Sequence, residues 1–487
     1  MSDAINGLEP KILWERFSEI AQVPRPSKKE EKIRKHMREL LDELKIKYKE
    51  DKVGNMIASV PATAGYENAP IVVLQGHVDM VCEKNNETKH DFENDPIKLV
   101  KDGDWITADG TTLGSDNGIG VAAGLALITD KDAVHGPLEL LMTIDEETGL
   151  TGATNLEPGF VSGKILLNLD SEEDGAFYVG CSGGVDTIAE FNIEWNNVTE
   201  GNNFYKLIVT GLKGGHSGLD IEKGRGNAIK ILGRTLNTLE STNYSLVSLE
   251  GGNLRNAIPR EAEAIISIDK SQEENAKKII NDFQKDILNE FKTSDGGVKI
   301  VFSNSDVKSE KVFADKFKNK ILDTILALPH GVIAMSQDIK DLVETSTNVA
   351  TVHTEGDILK FGTSQRSSIN SANNYIARNV RAIFNLASAK TSTNDGYPGW
   401  KPNLDSAILK ISKTVYKELF NSEPEIKAIH AGLECGILEG KNPGMDMVSF
   451  GPTIEGAHSP DERVNIPAVE KFYNLLKGIL KKVAESN

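Results

Sequence analysis

The stretch Leu138–Ile144 reads as a buried strand and runs directly into Asp145-Glu146-Glu147. A strand buried on both faces must be covered by further layers of structure. Few structural roles need two adjacent carboxylates at its end. A two-metal hydrolase does: one carboxylate holds a metal and the other takes a proton from the attacking water.

The strand has companions. Sequence patterning predicts strands over Met56–Val60, Ile71–Gln75 and Lys164–Leu169, an Ala/Gly-rich helix over Asn117–Ile128, and a short helical link from Gly152 to Asn155. Ahead of them, Lys11–Val23 has helical periodicity, and Ser27 with Glu30 makes a capping box for a charged surface helix over Lys28–Tyr48. Strands alternating with helices imply an α/β layered sheet with a substantially parallel core. Ligands of such sheets bind beyond the carboxyl ends of the strands. His77, the Glu146-Glu147 pair and Asp170 each follow a predicted strand, so three strand ends deliver ligating groups to one edge.

Between residues 187 and 385 the texture changes. Predicted strands Phe204–Thr210, Tyr244–Leu249, Ala262–Asp269 and Val298–Ser303 alternate with helices Gly226–Leu239 and Glu273–Asn289. This is an α+β pattern with few candidate ligands, read as a domain inserted into the first, with helix Ala372–Ala387 in the hinge region. The α/β pattern resumes with helix Asn403–Leu419, strand Met447–Phe450 and the amphipathic helix Ile466–Val483. The expected division is residues 1–186 and 386–487 for an α/β catalytic domain and 187–385 for the insertion. A chain of 487 residues is too long for one core, which agrees with that division.

Charge narrows the function classes. With 55 basic and 72 acidic residues the formal charge is −17, which disfavours nucleic acid and anionic membranes as partners. No apolar run approaches the roughly 20 residues of a membrane span. The N-terminus lacks a basic stretch followed by an apolar one. Cys82, Cys181 and Cys435 are too few and too scattered for a disulfide framework, which fits a cytoplasmic location.

Taken singly, each candidate ligand has an ordinary explanation. His77-Val78-Asp79 is either a solvated strand end or a ligating histidine with Asp79 orienting its ring. Asp116, before the Ala/Gly-rich helix, is either an N-cap or a carboxylate bridging two metals. Glu146-Glu147 and Asp170 fit acidic turns, and His458 sits in a Gly/Pro loop. Taken in order they are harder to dismiss. Two histidines and three carboxylates, with one further Glu left over as a base, suit zinc, and also manganese or cobalt.

At this point the chain resembles the co-catalytic zinc exopeptidases and deacylases that combine an α/β zinc-peptidase domain with an inserted lid. Within that family it is most similar to the aminoacyl-histidine dipeptidase branch. The likeness runs end to end and is carried by Val73–Met80, Thr112–Gly120, Asp145–Gly149, Gly214–Gly218 and Asp395–Trp400. It implies a zinc-exopeptidase-like three-layer catalytic domain with an inserted α+β lid that also serves dimerisation. It also implies two divalent ions, zinc first and manganese or cobalt next. His77 and Asp170 would bind one ion, Glu147 and His458 the other, and Asp116 would bridge them. Glu146 would be the general base and Asp79 the orienter of His77.

The resemblance also implies substrate-binding residues. His216 would stabilise the oxyanion, in cis or from a partner lid in a homodimer. Asn256 would contact substrate, Arg366 would bind its carboxylate, and the Ala431–Gly436 loop, including Gly436, would line the site. The implied activity is hydrolysis of Xaa-His and other short dipeptides by a metal-activated water. An N-acyl amino acid deacylase would share every ligand and differ only in the lid. A non-catalytic metal- or peptide-binding protein would be expected to have lost Glu146 or a ligand, and none is lost.

Overall fold

The computed structural model describes residues 2–394 and 396–486. Met1 and Asp395, the latter opening one of the matched stretches, lie outside them. The chain divides into two compact units. One comprises Met1–Cys181, Trp400–Ala428 and Leu433–Asn487; the other comprises Ser182–Gly399 and Ile429–Gly432.

The first unit is built on an eight-stranded sheet in the order Lys47–Glu50, Met56–Val60, Leu138–Thr143, Val72–His77, Ile165–Asn168, Asp446–Ser449, Ala176–Cys181, Glu425–Ile429. The four strands from Leu138–Thr143 to Asp446–Ser449 are mutually parallel, and antiparallel strands flank them. Val72–His77 and Leu138–Thr143 are buried at every position, so helices cover both faces and the architecture is a layered α/β one. Helix Ser115–Leu127 packs on Val72–His77, and helix Ala407–Phe420 packs on Asp446–Ser449.

Small residues let the helix Ser115–Leu127 approach the sheet. A Cβ on Gly76 would lie 2.2 Å from Asn117 Oδ1, and one on Gly120 would lie 2.5 Å from the Leu169 carbonyl. Asn117 is wedged between these glycines and donates Nδ2–H to Leu169 O at 2.6 Å. That wedge ties the start of the helix, and therefore Asp116, to the segment carrying Asp170.

The second unit carries a nine-stranded antiparallel sheet, ordered Lys299–Asn304, Asn203–Thr210, Ala262–Ile268, Ser245–Gly251, Val343–Glu355, Ile358–Ser367, Gly183–Asn192, Lys390–Thr393, with Gly331–Met335 also pairing on Val343–Glu355. Helices Ala228–Thr238, Glu273–Phe291, Asp315–Ala327 and Asn370–Leu386 supply the other half of one apolar core around Phe191, Leu207, Leu232, Phe317, Phe361 and Phe384.

The structure differs from the sequence reading in several places. The unit boundaries fall at 181/182 and 399/400 rather than 186/187 and 385/386. The reason is pairing: Gly183–Asn192 and Lys390–Thr393 are hydrogen-bonded to one another within the second sheet. Helix Asn370–Leu386, read from sequence as part of the hinge region, packs on Gly183–Asn192 and Ile358–Ser367 of that sheet. Ser27 does not cap a helix. Its hydroxyl donates to Asp79 Oδ2 at 2.8 Å, and the helix runs Glu31–Glu43 with Glu30 at the N-cap. The chain then turns at Lys45, with φ 57°, into the edge strand Lys47–Glu50.

Candidate metal centre

Strand ends place the first set of groups. His77 closes the strand Val72–His77 and is 1% exposed. Its Nδ1 lies 3.2 Å from the Asp79 carbonyl and 3.3 Å from Asp79 Oδ1, so that nitrogen carries the proton. Nε2 is left facing Asp116 Oδ1 at 3.1 Å and Asp170 Oδ1 at 3.4 Å. Glu146 and Glu147 open the short helix Glu146–Gly149, after Asp145 at φ 46°. Asp145 is locked by its own side chain, which accepts from the Thr148 and Thr151 hydroxyls, and by its N–H, which donates to Glu30 Oε1 at 3.1 Å.

His458 comes from a tight turn between strands Ile454–Glu455 and Arg463–Asn465. Its Nε2 is 2.9 Å from Glu147 Oε2 and 3.1 Å from Asp116 Oδ2. Asp116 therefore turns one oxygen to His77 and the other to His458. Ligand-capable atoms of His77, Asp116 and Asp170 lie within 4.8 Å of one another, and so do those of Asp116, Glu147 and His458. A third such group, His77, Glu146 and Glu147, puts Glu146 beside both.

The electrostatics are those of a site made for cations. Burial pushes the Glu146 carboxyl well above its usual range, and neighbouring Asp170, Glu434 and Glu147 add to it. Burial also lifts Asp170 to about 7 despite the opposing charge of His77. Burial and the charges of Asp116 and Asp170 lift Glu172 to about 8. Hydrogen bonds that His458 donates to Asp116 and Glu147 raise its ring to about 11. For His77, burial disfavours the charged ring, but Asp170 and Asp116 outweigh it and hold the ring above its ordinary range. Glu147 Oε1 and Asp170 Oδ1 are buried without a hydrogen-bond partner. Buried carboxylate oxygens gathered around the Nε2 atoms of two imidazoles fit divalent ions of the zinc type.

Three buried residues that sequence reasoning did not single out hold this frame. The Glu462 carboxylate accepts from the backbone N–H groups of Leu113, Gly114, Ser115 and Asp116 and from the Ser115 hydroxyl. Arg25 donates to the carbonyls of Val78, Asp79 and Gly114. Glu434 accepts from Gln75 Nε2 and from Thr143 Oγ1, behind the strands that carry His77 and Glu146. Each contact is distant in sequence, so only the side chains' polarity was visible beforehand. Gly436 lies buried in the same helix as Glu434, Glu434–Lys441, with its N–H on Leu433 O at 3.1 Å.

The other candidates lie in the second unit. His216 sits in a two-stranded ribbon with Ala257–Ile258. Its Nδ1 accepts the N–H groups of Gly218 and Leu219 at 3.2 and 3.1 Å, so the proton is on Nε2. Burial and Arg366 lower this ring to about 4, leaving it a neutral donor at physiological pH. Arg366 is 7% exposed and donates to the Tyr397 hydroxyl at 2.8 Å. His430, within the Ile429–Gly432 segment, is also buried and holds Ser346 Oγ at 2.7 Å. Asn256 is exposed, and its carbonyl accepts Ser217 N–H at 2.8 Å.

An α/β sheet with strand-end histidines and carboxylates, joined to an antiparallel α+β unit, defines a class, and the comparison with known proteins identifies it. Residues 73–482 match Peptidase family M20/M25/M40; the chain belongs to this family and is a peptide hydrolase. It is 41% identical over 480 residues to the cytosol non-specific dipeptidase of Escherichia coli (strain K12), covering 98% of this chain and 99% of that one. The crystal structure of aminoacylhistidine dipeptidase from Vibrio alginolyticus superposes with a TM-score of 0.90 at 41% identity, covering 98% and 97% of the two chains. Aminopeptidase PepT from Bacillus cereus shares the fold, with a TM-score of 0.61 at 18% identity over 98% of this chain and 100% of that one.

Proposed function

We propose that this peptide hydrolase is a dinuclear metal-dependent dipeptidase that cleaves Xaa-His and other short dipeptides in the cytoplasm. The observation that carries the reading is the division of the Asp116 carboxylate, Oδ1 toward His77 and Oδ2 toward His458, each at 3.1 Å. His77 and Asp170 would hold one ion, Glu147 and His458 the other, with Asp116 between them. Zinc suits this nitrogen and oxygen set, and manganese or cobalt fit the same donors. The Escherichia coli and Vibrio alginolyticus relatives are both named as dipeptidases, which supports the substrate class. No helix among the described residues is long and apolar enough to cross a membrane.

Bound there, two divalent ions would supply Lewis acidity that polarises the scissile carbonyl and acidifies the attacking water. Glu146 takes the proton from that water and returns it to the leaving amine. Burial raises its pKa, which favours holding the proton between the two transfers. Asp79 fixes the His77 tautomer and, by accepting N–H groups of Glu146 and Glu147, keeps base and ligand in separate positions. His216 donates Nε2–H to the tetrahedral oxyanion as a neutral group. Arg366 offers a fork to the substrate's C-terminal carboxylate, and Asn256 and Gly436 contact the peptide. The same reading includes a homodimer formed through the second unit.

The test is a hydrolysis panel with metal-stripped and metal-restored protein: Xaa-His dipeptides, other dipeptides, tripeptides and N-acetyl amino acids. Restored protein is expected to cleave the dipeptides, and stripped protein to cleave none. Preferential cleavage of N-acetyl amino acids would make the chain a deacylase. Normal metal content with no turnover on any substrate would make it a binding protein. Sedimentation as a monomer would remove the dimer.

A further inference from the structure

Glu462 is four residues beyond His458 in sequence, yet its side chain belongs to the loop that carries Asp116. It is 2% exposed. Oε2 accepts Leu113 and Gly114 N–H at 2.8 and 2.9 Å. Oε1 accepts Ser115 N–H and Oγ–H at 2.7 Å each, and Asp116 N–H at 3.3 Å. Five donors converging on two oxygens suit an acceptor-only carboxylate, whereas an amide would turn an N–H toward some of them.

The same residue also anchors the turn that carries His458. The Glu462 carbonyl accepts the Thr107 hydroxyl at 2.8 Å, and its N–H donates to Ser459 O at 3.1 Å. Ser459 closes the turn in its own right, with N–H and Oγ–H on Gly456 O at 3.2 and 2.7 Å. His458 stands inside that closed turn at φ 64°. One side chain thus ties the backbone of the bridging aspartate to the turn of the distal histidine.

We infer that Glu462 is a positioning residue that couples the two metal positions, by holding Asp116 in the bridging orientation and fixing the His458 turn against it. This rests on the two-ion reading of the site. Asp116 can serve both positions only while its backbone is fixed, since each oxygen faces a different half of the site. With Asp116 held this way, both positions are formed before either ion enters, and binding the first does not draw the bridge away from the second. Outer hydrogen-bond partners of metal ligands characteristically contribute about 10–100-fold to metal affinity.

The experiment titrates the metal-stripped full chain with Zn2+ against a chromophoric chelator and records stoichiometry, both affinities and the melting temperature of the metal-free protein. The wild-type protein is expected to take two ions in one steep transition. Glu462→Gln, which turns an amide N–H toward backbone N–H donors, is expected to split the curve into two steps, with the second ion weakened about 10–100-fold. Ser115→Ala, which removes one donor and leaves the carboxylate, should shift in the same direction by less, and it serves as the measure should Glu462→Gln fail to fold. Two ions in the wild type with unchanged affinities and a single transition in the variants would overturn the coupling role, including where the metal-free protein melts lower. Fewer than two ions in the wild type would overturn the two-ion reading and the coupling with it.

Discussion

Asp79 Oδ1 accepts the backbone N–H of Glu146 at 3.1 Å while lying 3.3 Å from His77 Nδ1. One carboxylate therefore sets both the tautomer of His77, the proposed ligand, and the position of Glu146, the proposed base. Its other oxygen takes Glu147 N–H at 3.3 Å and the Ser27 hydroxyl at 2.8 Å. Asp79→Asn turns an amide N–H toward one of these donors. The expected result is a loss of about 10–100-fold in metal affinity together with a fall in kcat. Metal titration combined with steady-state kinetics checks it; a drop in kcat with metal affinity intact would confine Asp79 to the base.

Glu146 is the group whose removal should separate binding from chemistry. It is a member of neither set containing Asp116, although it stands beside His77 and Glu147 of those sets. Glu146→Gln is therefore expected to retain two ions and near wild-type KM while kcat falls by about 10²–10⁴-fold or more. Metal analysis of the purified variant beside its turnover number decides the matter. Substantial residual turnover would reassign the base.

The proposed ligands were legible because their chemistry is local: each is a charged or imidazole group just past an apolar strand or before a helix. The second sheet was less so. Val343–Glu355 and Ile358–Ser367 are mostly buried, yet they are rich in Ser, Thr, Asn and Gln and show no apolar alternation. Some of their polar groups pair across strands, Thr345 with Ser367 at 2.9 Å and Thr187 with Gln365 at 2.9 Å, a pairing that hydropathy does not register. Ser27 was misread for a related reason. A cap is a local inference, and the Asp79 carboxylate, far away in sequence, takes its hydroxyl instead. Glu462 and Arg25 escaped notice because every partner of their side chains is distant in sequence.

Gly120 offers a test of the close approach between helix and sheet. Alanine is favoured over glycine by about 1 kcal/mol in a helix interior. Here the added methyl would meet the Leu169 carbonyl at 2.5 Å and the Asn117 side chain at 2.6 Å. Overpacking of this kind costs about 1–3 kcal/mol, so the clash should win. Gly120→Ala is expected to lower the melting temperature, and to weaken metal binding through Asn117 and its neighbour Asp116. A stabilised variant would show that the helix can shift without cost.

Acid sensitivity should originate partly in the second unit. Burial lowers His216 and His330 to about 4 and His430 to about 3, against an ordinary value of 6.5. Between those values and 6.5 the unfolded chain binds more protons than the folded one, so stability rises with pH across that window and is lost on acidification. His330, half-buried beside Asn227 and Lys230, is the cleanest probe. Its contribution is on the order of 1–3 kcal/mol at the acid end. Melting temperature measured from pH 4 to 7 should fall less steeply for His330→Gln than for wild type. Parallel curves would locate the acid sensitivity elsewhere.

Arg366 should govern which end of the substrate is read. It is buried, its Nη1 is on the Tyr397 hydroxyl at 2.8 Å, and its Nε has no hydrogen-bond partner. A buried guanidinium with unused donor capacity is suited to a carboxylate, which it can grip with two parallel hydrogen bonds. Arg366→Ala is expected to raise KM for dipeptides with a free C-terminus and to reduce kcat/KM by about 10²-fold, the equivalent of roughly 2.7 kcal/mol. Lysine restores the charge but not the fork, so Arg366→Lys should recover little of the loss. The decisive comparison is with C-terminally amidated dipeptides, which lack the carboxylate. Wild type should discriminate against them strongly and the variants hardly at all; equal discrimination by both would take carboxylate recognition away from Arg366.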